Sequence, residues 1–287
     1  MSESTIVAVV TGASRGVGRG IAIALGGKGA TVYVVGRTQS DDTPRATGEA
    51  VLPGTIYDAA AAVTAAGGHG IAVTCDMTDS AQIIALFKQV ERESGRLDIL
   101  VNNAAFVHND MLMATPFWEK SLAVGNILDV GLRCHYTASH QAAPMMVRQK
   151  QGLIVNISFF GAVSKFHDPA YGASKAGLDK MAFDMADELR PHNVAAISLW
   201  PGIVATERVQ QMAEHIAEVK DQMDTFETPQ FSGLVIDALY RDPDLLSLSG
   251  KTLIGAELAK HYGIRDIDGK QPDSLRNSMG NPHPAFS

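Results

Sequence analysis

Residues 5–10 form an apolar run that leads directly into Thr11-Gly12-Ala13-Ser14-Arg15-Gly16-Val17-Gly18, and a segment of helical period follows over residues 17–29. A strand that passes into a helix through three glycines can turn tightly, and its backbone can approach a ligand closely. The first N–H groups of the helix then point outward with the positive end of its dipole, which suits a pyrophosphate. Glycine is common in loops, but its position between a first strand and a helix is the context a dinucleotide cradle requires. Gly12, Ser14, Arg15, Gly16, Val17 and Gly18 are therefore candidate cofactor-binding residues.

The rest of the chain repeats that alternation. Residues 31–35, 70–75, 97–101, 153–157 and 194–199 read as further strands, with a short last one at 251–254. Segments of helical character lie at 80–93, roughly 118–149, and 169–190. Apolar strands without polar alternation indicate a sheet covered on both faces, and alternation with helices indicates right-handed βαβ units. The expectation is an α/β fold, a doubly wound (Rossmann) parallel seven-stranded sheet with helices on both faces, in a single domain spanning residues 1–287. Three stretches read as irregular: 39–55, 207–230 and a polar tail at 266–287.

Composition narrows the function. The hydrophobic share of 46% supplies a sizeable core, and the formal net charge of -7 opposes binding to nucleic acid or anionic membranes. No run of lysine or arginine offsets it. Cys75 and Cys134 stand apart among apolar residues and read as buried free thiols in a reducing compartment. No apolar stretch approaches the roughly 18 residues needed to span a bilayer. The start, Met1-Ser2-Glu3-Ser4-Thr5, lacks a signal-peptide pattern, so a cytoplasmic location is expected.

The spacing Gly-x3-Gly-x-Gly after a threonine resembles the short-chain dehydrogenase/reductase family. The likeness continues in Asp76 at the end of the third strand, Asn102-Asn103-Ala104-Ala105 at the end of the fourth, and Pro201-Gly202-x3-Thr206 after the sixth. It implies that Asp76 and Met77 lie near the adenine and that Asn103 and Ala104 lie along the dinucleotide. It also implies that Pro201, Gly202, Val204 and Thr206 close over the nicotinamide. At the second strand, enzymes of this fold that use NAD carry an acid for the ribose hydroxyls. Gly36-Arg37-Thr38 stands there instead. Arg37, Thr38 and Arg15 suit a 2′-phosphate, which points to NADP(H); Arg45 is a weaker candidate for the same group.

Tyr171 and Lys175 are four residues apart on one helix face. A nearby cation stabilises a phenolate and lowers its pKa from about 10, so Tyr171 reads as the general acid/base. Ser158, at the end of the fifth strand, reads as a hydroxyl donor to the substrate oxygen. This Ser–Tyr–Lys set is similar to the family's active site, which further implies that Lys175 and Tyr171 contact the nicotinamide ribose. The family usually has an asparagine in the long helix after the fourth strand, where Gly131 stands here. That glycine and the segments around 130–136, 198–204, 246–251 and 262–269 resemble one branch of the family, the member 1 type, whose members reduce carbonyls with NADPH.

Phe106, Phe159, Phe160, Phe166 and Phe226 suggest an apolar pocket for a hydrophobic carbonyl or alcohol substrate. Residues 212–223 resemble the family's mobile lid. His108, His135, His140 and His167 show no metal-ligand spacing. The competing readings are an NADPH-binding sensor without turnover and chemistry on a non-carbonyl substrate. The resemblance also implies a homodimer or homotetramer.

Overall fold

The computed structural model describes residues 5–40, 43 and 48–287; Arg45 and residues 1–4 lie outside them. Among the described residues, strands β1 (Val7–Thr11), β2 (Thr31–Gly36), β3 (His69–Thr74), β4 (Ile99–Asn102), β5 (Gly152–Ile157), β6 (Val194–Trp200) and β7 (Thr252–Ile254) form one parallel sheet. Its order is β3-β2-β1-β4-β5-β6-β7. The main helices are α1 (Gly16–Gly26), α2 (Ile56–Ala65), α3 (Ser80–Ser94), α4 (Cys134–Gln149), α5 (Pro169–Leu189), α6 (Glu207–Ala213), α7 (Ala217–Gln222), α8 (Phe231–Arg241), α9 (Leu245–Leu248) and α10 (Gly255–Tyr262).

Successive side chains of a strand point to opposite faces. Ala8 and Val10 of β1 accordingly join one apolar core with Ile21 and Leu25 of α1 and Phe231 and Val235 of α8. Val7 and Val9 join another with Phe87 of α3 and Cys134 and Ala138 of α4. Covering on both faces explains why the strands carry no polar alternation. Pairing on one side of β1 goes back to β2 and on the other forward to β4, so the carboxyl ends of β1 and β4 flank the point where the winding direction reverses. Ligands of such sheets bind in the crevice opened there.

The structure corrects the expected long helix over 118–149. Only Cys134–Gln149 is α-helical. Ahead of it come short turns such as Asn109–Leu112 and Leu122–Ile127, with Pro116 between them. Trp118 (72% exposed) and Leu122 (98% exposed) bury no face that would support a continuous helix. The chain then leaves helical geometry at Val130 (φ -102°, ψ 66°) and Gly131 (φ 164°, ψ -8°). The break has a use: Val130 O accepts from Phe106 N–H (2.9 Å) and Gly131 O accepts from Ser174 Oγ–H (3.0 Å).

Two irregular stretches are more ordered than expected. Part of 207–230 forms the short helices α6 and α7. The tail from 266 onward packs against the body of the protein: Asp266 is buried, accepting from Thr228 N–H (2.7 Å) and from the Thr228 hydroxyl (2.5 Å). Both cysteines are free and buried, and burial pushes each thiol up to about 12. No helix among the described residues is long and apolar enough to cross a membrane.

Candidate active site

Thr11 ties the two strand ends together. Its Oγ1 accepts from Asn103 N–H (3.0 Å) and Ala104 N–H (3.1 Å) and donates to Val101 O (3.2 Å). Asn103 in turn donates through Nδ2 to Thr11 O (3.0 Å) and Gly12 O (3.2 Å). The turn between them is glycine for two reasons. Gly12 and Gly16 have φ of +66° and +57°, and a Cβ on Gly12 would lie 2.7 Å from Ala104 Cα. At Gly18 a Cβ would meet Asn103 Nδ2 at 2.4 Å and Gly12 O at 2.5 Å. Gly18→Ala is therefore expected to cost about 1–3 kcal/mol of stability and to weaken dinucleotide binding, read by thermal unfolding and by ligand titration.

A cavity of about 350 Å³ opens over this turn. Its wall takes Gly12, Ser14, Arg15, Gly16, Val17 and Gly18 from the turn, Arg37 and Thr38 from the end of β2, and Asp76 and Met77 from the end of β3. Asn103 and Ala104 come from the end of β4, and Thr206 from the segment after β6. Tyr171, Lys175, Pro201, Gly202 and Val204 are not among the wall residues. The glycine backbone, the N-terminus of α1 and two guanidiniums suit a molecule with a pyrophosphate and a further phosphate.

The two arginines are engaged. Arg15 donates from Nε to Pro53 O (3.0 Å) and from Nη2 to Gly54 O (2.8 Å) and Thr38 Oγ1 (3.1 Å). Arg37 forms an ion pair with Glu49 at 2.8 Å. Glu49, Val107, Glu207 and Arg208 also line the cavity, and the glycine motif gave no hint of them.

Tyr171 and Lys175 stand on the first turns of α5, whose start Asp168 caps by accepting from Ala170 N–H (2.9 Å). The Tyr171 ring lies against Gly161, where a Cβ would come within 2.6 Å, and meets the His167 ring edge-on at 5.2 Å. Lys175 Nζ donates to Ile157 O (2.9 Å) and lies 5.5 Å from the Tyr171 ring centre. Burial lowers Lys175 to about 8, opposed by Asp179 one turn further along α5. The phenolate expected from Lys175 is not what the site favours in this form: burial raises Tyr171 well above its usual value, and the phenol stays protonated.

The Ser158 side chain turns toward α5. Its hydroxyl is buried and donates to Lys175 O (2.9 Å), so its proton is given to the helix backbone and not to the crevice. Behind it lies Asp179, raised to about 6 by burial and held by Ser198 Oγ (2.6 Å) and Trp200 Nε1 (3.0 Å). Glu227 is equally buried. Its Oε1 accepts from Gly202 N–H (2.9 Å), its backbone N–H donates to Ile203 O (2.8 Å), and burial lifts its carboxyl to about 8. The Pro201–Thr206 segment is thus clamped from below.

Phe159, Phe160 and Trp200 form an apolar cluster against which Phe166 and Tyr171 pack. Leu275 and Met279 join it from the tail. That apolar pair, four residues apart inside a polar stretch, was the available sequence signal. Phe106 is also buried, and Phe226 is half-buried. His135 Nε2 bonds Ala104 O at 2.8 Å, and burial lowers its ring to about 3, so it stays neutral.

Comparison with known proteins places these features in a family. The model of the short chain dehydrogenases matches residues 6–217. The chain is 43% identical over 276 residues to human (Homo sapiens) dehydrogenase/reductase SDR family member 1, covering 92% of this chain and 84% of that one. It is 30% identical over 222 residues to a Staphylococcus aureus 3-oxoacyl-[acyl-carrier-protein] reductase, covering 77% and 82%. Among solved structures, a Xanthomonas campestris protein described as a dehydrogenase superposes with a TM-score of 0.76 at 26% identity, covering 99% of this chain and 98% of that chain.

Proposed function

The chain belongs to the short-chain dehydrogenase/reductase family and is an oxidoreductase, and from that premise we propose that it reduces a hydrophobic ketone or aldehyde with NADPH, or oxidises the matching alcohol. The reading rests on the meeting of the glycine cradle with Arg15, Arg37 and Thr38 in one cavity. When bound, the dinucleotide supplies or accepts the hydride. Tyr171, kept protonated by burial, gives its proton to the carbonyl oxygen. Lys175, anchored on Ile157 O, supports the nicotinamide ribose, and the Gly202 segment fixed by Glu227 closes over the carboxamide. Ser158 holds α5 at Lys175 and acts as a positioning residue.

The apolar cluster of Phe159, Phe160 and Trp200, with Phe166, Leu275 and Met279 packed against it beside Tyr171, favours a hydrophobic substrate. The test is NADPH and NADH oxidation over a panel of aromatic and cyclic ketones. We expect turnover with a preference for NADPH. Arg37→Ala should lower kcat/KM for NADPH about tenfold and leave that for NADH unchanged, because only a 2′-phosphate uses the guanidinium. Equal use of both dinucleotides by the unmodified enzyme would overturn the NADP assignment. Tight NADPH binding with no turnover of any carbonyl would favour a sensor.

A further inference from the structure

The cavity above the glycine turn contains two carboxylates where an acid is least expected. Glu207, in the first turn of α6, accepts from Gly16 N–H through Oε2 at 2.8 Å. Gly16 is the first residue of α1, so this carboxylate sits where the helix dipole and free N–H groups await an anion. At the other end, Glu49 Oε1 holds Arg37 Nη2 at 2.8 Å, with the Glu49 side chain only 15% exposed. Each carboxylate thus occupies the partner of one phosphate that the proposed cofactor would bring.

Neither acid belongs to the sheet. Glu49 lies on the segment after β2, which is fastened to the stretch after β4 by an isolated bridge between Glu49 and His108 and by Asn109 N–H donating to Gly48 O (2.8 Å). Glu207 lies on α6, and Gln211 of the same helix donates to Val51 O (3.3 Å). The two acids are therefore carried by two segments that touch each other.

We propose that Glu207 and Glu49 are placeholder carboxylates that set the affinity and the choice of dinucleotide, Glu207 standing in for the pyrophosphate and Glu49 for the 2′-phosphate. The proposal rests on the dinucleotide reading of the cavity. Phosphate and carboxylate cannot share one donor at contact distance without strong repulsion. Gly16 has one N–H, so a pyrophosphate that takes it must turn Glu207 away; Arg37 has further N–H donors, but a 2′-phosphate there meets the like charge of Glu49 beside it and is opposed by it. Glu207 taxes every dinucleotide alike. Glu49 taxes only the phosphorylated one and so narrows the preference for NADP(H).

The test is direct titration of the unmodified protein, Glu207→Gln, Glu207→Ala and Glu49→Gln with NADP+ and NAD+ by calorimetry. Glutamine keeps the shape of each side chain and removes its charge. Both Glu207 variants should bind both dinucleotides about tenfold more tightly. Glu49→Gln should bind NADP+ about tenfold more tightly and NAD+ unchanged. Unchanged or weaker binding of both dinucleotides by both Glu207 variants, or a Glu49→Gln effect equal for the two dinucleotides, would overturn the proposal while leaving the cofactor reading intact. Failure of the unmodified protein to bind either dinucleotide would overturn the cofactor reading, and the proposal with it.

Discussion

Tyr171→Phe should lower kcat by about 10²–10⁴-fold while dinucleotide binding, measured by titration, survives. The substitution is conservative in shape. The ring stays against Gly161 and edge-on to His167, so only the hydroxyl is lost. That hydroxyl makes no hydrogen bond to any described residue, which leaves it free for a substrate oxygen, and burial keeps its proton in place. Ser158→Ala provides the contrast. Because the Ser158 hydroxyl serves Lys175 O, its loss removes a buried hydrogen bond and not a proton donor to substrate. A drop of about tenfold or less in kcat is expected there, from a slightly displaced Lys175. Turnover that persists in Tyr171→Phe would refute the assignment of Tyr171. A Ser158→Ala enzyme as impaired as Tyr171→Phe would show that the hydroxyl turns toward substrate during reaction.

Asp98→Ala should destabilise the protein by about 3–5 kcal/mol, read as a lower midpoint in urea denaturation. Asp98 is fully buried at the start of β4, at the end of the sheet away from the crevice. Its carboxylate accepts from Val7 N–H (2.8 Å), from Tyr240 Oη–H (2.8 Å) and from Arg96 through Nε (2.9 Å) and Nη2 (2.6 Å). Alanine would strand a buried backbone N–H and a phenol and leave Arg96 without its partner. Asp98→Asn retains one acceptor oxygen and should fall between the two. Kinetic constants of the folded fraction should stay unchanged, because no part of this network reaches the glycine turn. A loss smaller than about 1 kcal/mol would mean that water replaces the carboxylate.

Asp98 also shows where sequence reading ends. The strands were legible because Val7–Thr11, Thr31–Gly36 and Val194–Trp200 are covered on both faces and are mostly apolar, with no polar alternation. The glycine turn was legible because three glycines stand close together between a strand and a helix, where the positive φ of Gly12 and Gly16 favours that residue. Gly131 was noticed, but its reason was not. A break that hands carbonyls to Phe106 and Ser174 depends on contacts up to 43 residues away. Separation along the chain likewise hid Glu207, 191 residues from Gly16, and Glu227, 25 residues from Gly202. Acidic side chains in a segment read as irregular carry no periodic signature, so only the folded chain reveals that they face inward. The orientation of Ser158 was hidden for a different reason. Its position in sequence was suggestive, but whether a side chain at a strand end faces the crevice or the helix behind it depends on one residue of pleat.

The packing of Leu275 and Met279 onto the Phe159–Phe160–Trp200 cluster bears on how such an enzyme diversifies. That stretch is moored by Arg276 to Glu257 (2.7 Å through Nε) and by Ser274 to the same carboxylate (2.7 Å), while none of residues 271–287 lines the cavity over the glycine turn. Under the proposed function, the apolar cluster that would face substrate and the cavity that would take the dinucleotide therefore share no residue of that stretch. Substitutions at Leu275 and Met279 are therefore expected to leave dinucleotide titration unchanged. Under the proposed function, that stretch is a short segment through which selection could retune what the enzyme accepts.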